Sequence, residues 1–228
     1  MAIAIGDIHG CLDALRALVA QLPRDEELVF LGDYVDRGPD SAGVVRYVEA
    51  LADERPCRLL MGNHEELMAG AIARHEDIEL WLVNGGDATL VSYGEEPFEW
   101  SRRPAERRRL PGFERFHSRL LTYYEDDSTI FVHAGIDVHV ERMEAQDPAV
   151  LLWVRERFFR NLEHWRGKPV IFGHTPTQTL GLAYGEIFHE HRCSGIDTGC
   201  VYGGVLTALD SRSHQRWQVP ARPVPVPR

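Results

Sequence analysis

The sequence predicts an α/β fold, on three observations. Short apolar runs alternate with amphipathic helices through the first seventy-odd residues. Each run ends in a Gly-Asp or Gly-Asn turn. The runs are continuous rather than alternating in polarity, which suits strands of a parallel sheet buried on both faces.

Ala2–Ile5 is the first strand, followed by GDIHG and by Leu12, Leu15, Leu18, Val19 and Leu22 at helical spacing. Leu28–Leu31 is the second; GDYVDRGPD follows, then a helix carrying Val44, Val45, Val48 and Leu51. Leu59–Met61 is the third, leading to GNHEE and a helix from about Glu65 to His75. The plan returns when Thr129–Val132 runs into HAG and Val170–Phe172 into GHT. In open α/β sheets ligands bind off the carboxyl ends of the strands, so these turns are expected to share one rim. Residues from about 76 to 128 interrupt the pattern and read as a largely helical insertion, one wall of a cleft. It holds Trp81, Tyr93, Trp100 and the basic stretch Arg102–Arg109. Its arginines (Arg102, Arg103, Arg107, Arg108, Arg109) read first as a solvated helix face and second as contacts for an anionic substrate. Val205–Asp210 and Arg216–Val219 resemble late antiparallel strands. The Pro-rich tail, about 219–228, is expected to run extended. One domain spanning 1–228 is the expected organisation.

The chain has 228 residues, 44% of them hydrophobic, and a formal net charge of −10. So acidic a protein has no general attraction for nucleic acid or anionic lipid, and any phosphate site must concentrate cations locally. The start MAIAIGDIHG lacks a charged n-region and a long apolar run, so neither a signal peptide nor a membrane span is expected. The cysteines (Cys11, Cys57, Cys193, Cys200) show no metal-site spacing. They read as reduced thiols of a cytoplasmic protein, with a Cys193–Cys200 bridge as the alternative.

The chemistry lies in the turns. Asp7 and His9, two apart between Gly6 and Gly10, can reach one divalent ion. In GDYVDRG, Asp33, Asp36 and Arg37 follow a buried strand, where unpaired charges are costly. They read either as a solvated loop with its own ion pair, or as a metal ligand, a partner for another site residue and a fork for phosphate oxygens. Asn63 offers a neutral oxygen to a hard cation. His64 beside it can pass a proton to a leaving group. His133 and His174 each follow an apolar run. Taken singly, each histidine reads better as a structural residue; the ordered set changes that. Asp7, His9, Asp33, Asn63, His133 and His174 make six N/O ligands, enough for two divalent ions roughly 3.5–4 Å apart with a carboxylate bridging.

GDIHG, GDYVDRG, GNHE, HAG and GHT, in this order, resemble the signature of the phosphoprotein phosphatase (PPP) branch of the metallophosphoesterases. WLVNGGDATLVSYG and IDTGCVYGG resemble its bacterial and phage-type serine/threonine phosphatases, and the likeness runs from about Met1 to Asp210. The resemblance implies two mixed β-sheets flanked by helices. It implies one metal on Asp7, His9 and Asp33, and another on Asp33, Asn63, His133 and His174. His64 would be the general acid, oriented by Asp36. Arg37 and Asn63 would bind the phosphate with a second arginine in LLWVRER, where Arg155 is the first choice and Arg157 the other. Asp197 of IDTG resembles a position near the metals that is not itself a ligand. The remaining histidines (His75, His117, His139, His164, His189, His191, His214) read as surface or structural.

The expected reaction is hydrolysis of phosphoserine or phosphothreonine, with phosphotyrosine also open, by a hydroxide bridging two cations. Mn²⁺ is the first candidate, with Fe, Zn and Mg²⁺ as others. The competing reading is a symmetrical diadenosine tetraphosphate hydrolase; such enzymes tend to carry Ala where Asp36 stands and Asp where Glu65 stands. A remoter one is an inactive binding module, which would have shed a ligand or the acid.

Overall fold

A computed structural model describes residues 2–73 and 78–221, excluding the side chain of Arg107. The expected strands form close to where the apolar runs lie: β1 (Ala2–Ile5), β2 (Glu27–Phe30) and β3 (Cys57–Leu59). The helices between them are α1 (Leu12–Val19), α2 (Ser41–Glu54) and α3 (Asn63–Ala73). Asp40 caps α2 by accepting from the Gly43 N–H at 2.7 Å. After residue 77 come four short helices: α4 (Ile78–Trp81), α5 (Asp87–Ser92), α6 (Pro97–Ser101) and α7 (Phe113–His117). A π-helical turn, Leu82–Gly86, joins α4 to α5.

The second half supplies β4 (Tyr123–Glu125), β5 (Ile130–Val132), α8 (Pro148–Trp153), α9 (Glu156–Phe159) and β6 (Val170–Phe172). It closes with β7 (Phe188–Glu190), β8 (Cys193–Gly195), β9 (Val205–Asp210) and β10 (Arg216–Pro220). These build two five-stranded sheets, ordered β10-β9-β1-β2-β3 and β4-β5-β6-β8-β7. Both are mixed. β1–β3 run parallel and β9 and β10 are antiparallel additions; β5, β6 and β8 run parallel between antiparallel β4 and β7. A purely parallel sheet, the bare expectation from the strand–helix alternation, is thus replaced by the mixed pair that the family resemblance implied.

Period-2 side-chain alternation explains how one strand serves two cores. Ala2 and Ala4 of β1 join Val29, Phe131, Ile171 and Leu209 in the layer between the sheets. Ile3 and Ile5 point the other way, into the core beneath α1, α2 and α3 with Leu15, Val44 and Met68. On the second sheet Ile130, Val132, Val170 and Phe172 pack outward against Leu151 and Phe158.

Three strands escape the sequence reading. β4 lies inside the segment read as a helical insertion, β7 is largely exposed, and β8 is the short run Cys-Ser-Gly. β10 is an edge strand, where Pro220 costs no interior ladder bond. The rest of the Pro-rich tail lies outside the described residues, as does His75. All four cysteines are free, so Cys193 and Cys200 are not bridged. No helix among the described residues is long and apolar enough to cross a membrane.

Candidate metal centre

Asp7, Asp33 and Asn63 follow β1, β2 and β3, while His133 and His174 follow β5 and β6. Main-chain bonds tie these turns together. The Ile8 and His9 N–H groups both donate to the Asp33 carbonyl (3.0 and 2.8 Å), and Gly173 N–H donates to the His133 carbonyl (2.8 Å). Across the sheets, His174 N–H points at both Asp7 oxygens, at 3.1 and 3.0 Å. Several side chains reach the centre only because their backbone is left-handed. His9, Asp33, Asp36, Arg37 and His174 have φ of 44°, 52°, 71°, 69° and 65°, a region that costs non-glycine residues about 1–3 kcal/mol each.

The imidazoles are locked as lone-pair donors. His9 Nδ1–H donates to the Val35 carbonyl (2.8 Å) and His133 Nδ1–H to that of Leu31 (2.8 Å). Each therefore turns a bare Nε2 inward, the arrangement that holds a metal-binding imidazole in one tautomer. His9 Nε2 lies 3.4 Å from Asp33 Oδ2, and His133 Nε2 lies 3.4 Å from Asp33 Oδ1. Asn63 Oδ1 stands 3.0 Å from His133 Nε2 and 2.8 Å from His174 Nδ1, and His174 Nε2 is buried without a hydrogen-bond partner. Burial pushes His9 and His133 below the ordinary imidazole value and His174 down to about 2. His133 turns a lone pair toward Asp33 Oδ1 and Asn63 Oδ1, and the buried His174 Nε2 has no partner; a cation would satisfy these facing atoms.

Two three-residue groups have ligand atoms within 4.8 Å of one another: His9, Asp33 and His64, and Asp33, His133 and His174. Asp33 belongs to both, as a bridging carboxylate must. Burial works against its ionisation, but the surrounding His133, His64, His9 and His174 outweigh that and hold it below the usual carboxylate range. Asp7 is pushed well above that range by burial and by the charges of Asp197 and Asp33. His9, Asp33, His133 and His174 fit divalent cations in donor type and convergence, with Asp7 held beside them by the His174 N–H.

His64 presents Nε2 to Asp33 Oδ2 at 4.0 Å, while its Nδ1 donates to Asp36 Oδ2 at 2.7 Å. Burial lowers its pKa, but Asp33 and the bond to Asp36 outweigh this and raise it above the ordinary value. Asp36 is fully buried. It also accepts from Trp81 Nε1, 3.0 Å from each oxygen, and from the Thr89 hydroxyl at 2.7 Å.

Arg37 Nη1 donates to His9 Nε2 at 2.5 Å, and the guanidinium lies 5.7 Å from the centre of the half-exposed Tyr202 ring. Arg155 and Arg157 part company. Arg155 Nη1 reaches the His174 carbonyl (3.2 Å) and Thr175 Oγ1 (3.1 Å), whereas Arg157 pairs with Asp137 at the surface. Asp197 is buried, accepts from Gly199 N–H at 3.0 Å and is pushed up to about 6 by burial. The basic stretch is not a uniform solvated face: Arg103 pairs with Glu95 and Arg109 with Glu114, but Arg108 is fully buried and donates to the Ala71 carbonyl.

Four residues near the centre have no role in the sequence reading. Glu65, compared there only with the Asp of nucleotide hydrolases, accepts from the N–H groups of Asp33, Tyr34 and Gly62 (2.9 Å each) and Val35 (3.2 Å). Trp153 Nε1 donates to Glu66 (2.6 Å), with its ring 6.4 Å from that of His174. Trp81 and Thr89 stood in plain view within WLVNGGDAT, but nothing in spacing links them to Asp36.

Residues 2–195 match the family model described as calcineurin-like phosphoesterase. The chain is 31% identical to serine/threonine-protein phosphatase 1 of Salmonella typhimurium, over 89% of this chain and 88% of that one. It is 28% identical to the asymmetrical bis(5'-nucleosyl)-tetraphosphatase PrpE of Geobacillus thermodenitrificans, over 90% and 88%. The crystal structure of a candidate diadenosine tetraphosphatase superposes with a TM-score of 0.67 at 23% identity, covering 97% of this chain and 93% of that one.

Proposed function

Since the chain belongs to the calcineurin-like phosphoesterases and is a metal-dependent phosphatase, we propose that it dephosphorylates phosphoserine and phosphothreonine side chains of proteins. The observation that carries this reading is the buried dyad, with His64 Nδ1 2.7 Å from a fully buried Asp36. A serine or threonine alkoxide is a poor leaving group and needs a proton as the P–O bond breaks. Cleaving a phosphoanhydride releases a phosphate, which departs without that help. A dyad this firmly held suits the monoester.

Asp7, His9, Asp33, Asn63, His133 and His174 would hold two divalent cations, Mn²⁺ in our reading. When bound, these supply a water acidified to neutral pH and polarise the phosphoryl oxygens. Arg37 and Arg155, with the Asn63 amide, bind and orient the phosphoryl group and balance its charge in the transition state. His64 delivers a proton from Nε2 to the leaving oxygen. Asp36 holds the ring by Nδ1–H and offsets the charge of the imidazolium.

A nucleotide reading has its own support in the PrpE relative, matched at comparable coverage, although that enzyme is of the asymmetrical type and the sequence pointed to the symmetrical one. Turnover of a phosphoserine peptide against diadenosine tetraphosphate, both with Mn²⁺, separates the two. We expect the larger kcat/KM on the peptide; cleavage of the dinucleotide alone overturns the proposal. His64→Asn should retain its metals yet lose about 10²–10⁴-fold on phosphoserine, the usual range for a lost general acid.

A further inference from the structure

The insertion does more than flank the cleft. Asp36 and Arg37, adjacent in the chain, are both held by residues 81–89. The Thr89 hydroxyl accepts from the Asp36 main-chain N–H (2.8 Å) and donates to Oδ1 of the same residue (2.7 Å). Ser41 Oγ, 3.0 Å from that N–H and 3.0 Å from Thr89 Oγ1, completes the clamp. Trp81 Nε1 straddles the two carboxylate oxygens at 3.0 Å each. Its indole cannot swing away, because Gly86 lies against one face so closely that a Cβ there would sit 2.5 Å from the ring. Trp100 meets it edge-on at 5.6 Å. One residue further, the Gly85 carbonyl accepts from Arg37 N–H at 3.1 Å. Gly85 has φ +103°, and a Cβ would lie 2.7 Å from Arg37 N, so only glycine fits this approach.

We infer that Trp81 and Thr89 are positioning residues for the proton donor, and that residues 81–89 thereby determine how well the enzyme expels poor leaving groups. The reasoning rests on the proposed role of His64 and goes one step beyond it. A carboxylate held by one imidazole alone can rotate about its Cβ–Cγ bond and spread the Nδ1–H direction over a wide arc. With Trp81 across both oxygens and Thr89 on Oδ1, the carboxylate plane is set. Oδ2 then aims at His64 Nδ1, and Nε2 is aimed toward Asp33. Both residues are fully buried, out of reach of a substrate, and each acts through Asp36. Their loss should therefore leave substrate binding alone and slow only the reactions that need a proton in the transition state.

The test compares wild type, Trp81→Phe, Thr89→Val and Thr89→Ser on a phosphoserine peptide and on p-nitrophenyl phosphate, whose leaving group departs unprotonated. Mn²⁺ content and Tm are measured for each protein. Trp81→Phe keeps an aromatic ring and removes the donor, with a loss of buried volume that Tm reports, while Thr89→Ser keeps the hydroxyl. The first two substitutions should each lower kcat on the peptide about tenfold or more, within the range open to general acid catalysis. On the aryl ester the change should stay below about threefold, with KM and metal content unaltered, and Thr89→Ser should behave as wild type. Equal losses on both substrates, or loss of metal, would mean a merely structural role and overturn the inference, as would unchanged peptide turnover. Failure of the underlying reading looks different: wild type would cleave neither monoester, or His64→Asn would keep its phosphoserine activity.

Discussion

Asp33 is almost fully buried, has positive φ, and sits among His9, His64, His133 and His174. The residue that keeps it there is Glu65, whose two oxygens take four main-chain N–H groups from the turns after β2 and β3. Glu65→Gln replaces one acceptor oxygen with a donor that would face N–H groups. Such supporting contacts typically carry about 10–100-fold in metal affinity, and a loss of that size is expected in Mn²⁺ titrations of Glu65→Gln; unchanged affinity would refute it. Charge at the centre has a pH signature as well. Asp7 lies well above the usual carboxylate range, and Asp197 rises from 3.8 to about 6 through burial. In the metal-free fold these groups hold protons that the unfolded chain has already released. Their contribution to stability is therefore complete below 3.8 for Asp197 and is lost as pH rises through about 6. Cations displace those protons, so Mn²⁺ affinity should climb with pH across that window, with proton release seen by calorimetry in buffers of different ionisation enthalpy. A flat affinity from about pH 5 to about pH 8 would contradict this.

At the scale of elements, the rim works because short strands end together and their turns touch. Gly32, with φ +104°, lets the turn after β2 lie against Gly62; a Cβ there would be 2.6 Å from Gly62 N and 2.9 Å from His133 Nδ1. Gly32→Ala should press the β2 and β3 turns apart and strain the backbone by about 1–3 kcal/mol. Lower Tm and weaker Mn²⁺ binding, read by calorimetry, are the expected result. Elements also decided what could be read in advance. β1, β2, β5 and β6 are continuous apolar runs and declare themselves. β8 does not, since Cys-Ser-Gly has no β-branched residue, although it is buried between β6 and β7. β4 was masked by its neighbours, whose aromatic and basic residues read as helix.

For the whole molecule, the proposed ligands come from both sheets: Asp7, His9, Asp33 and Asn63 from the first, His133 and His174 from the second. Bound cations would then fasten one sheet to the other as well as serve catalysis. A ligand present at 100 times its Kd adds about 2.7 kcal/mol, worth about 5–10 °C in Tm for a chain of this size. Chelation should lower Tm by that order and Mn²⁺ should restore it; a Tm indifferent to chelator would place the ligands outside the stabilising structure.

The sequence by itself determined the strand–turn–helix plan and the set of candidate cation ligands, because both follow from short-range pattern: buried strands are apolar, and their turns carry glycine beside a residue with a metal-binding atom. It could not decide between Arg155 and Arg157, two residues apart, nor show that Arg108 is buried within a basic run. Nor could it reveal that Trp81 and Thr89 converge on Asp36. Those depend on contacts between residues distant in the chain, where a hydrogen bond to a buried carboxylate leaves no periodicity behind; only the packing of the short helices α4 and α5 against α3 and α2 brings the partners within 3 Å.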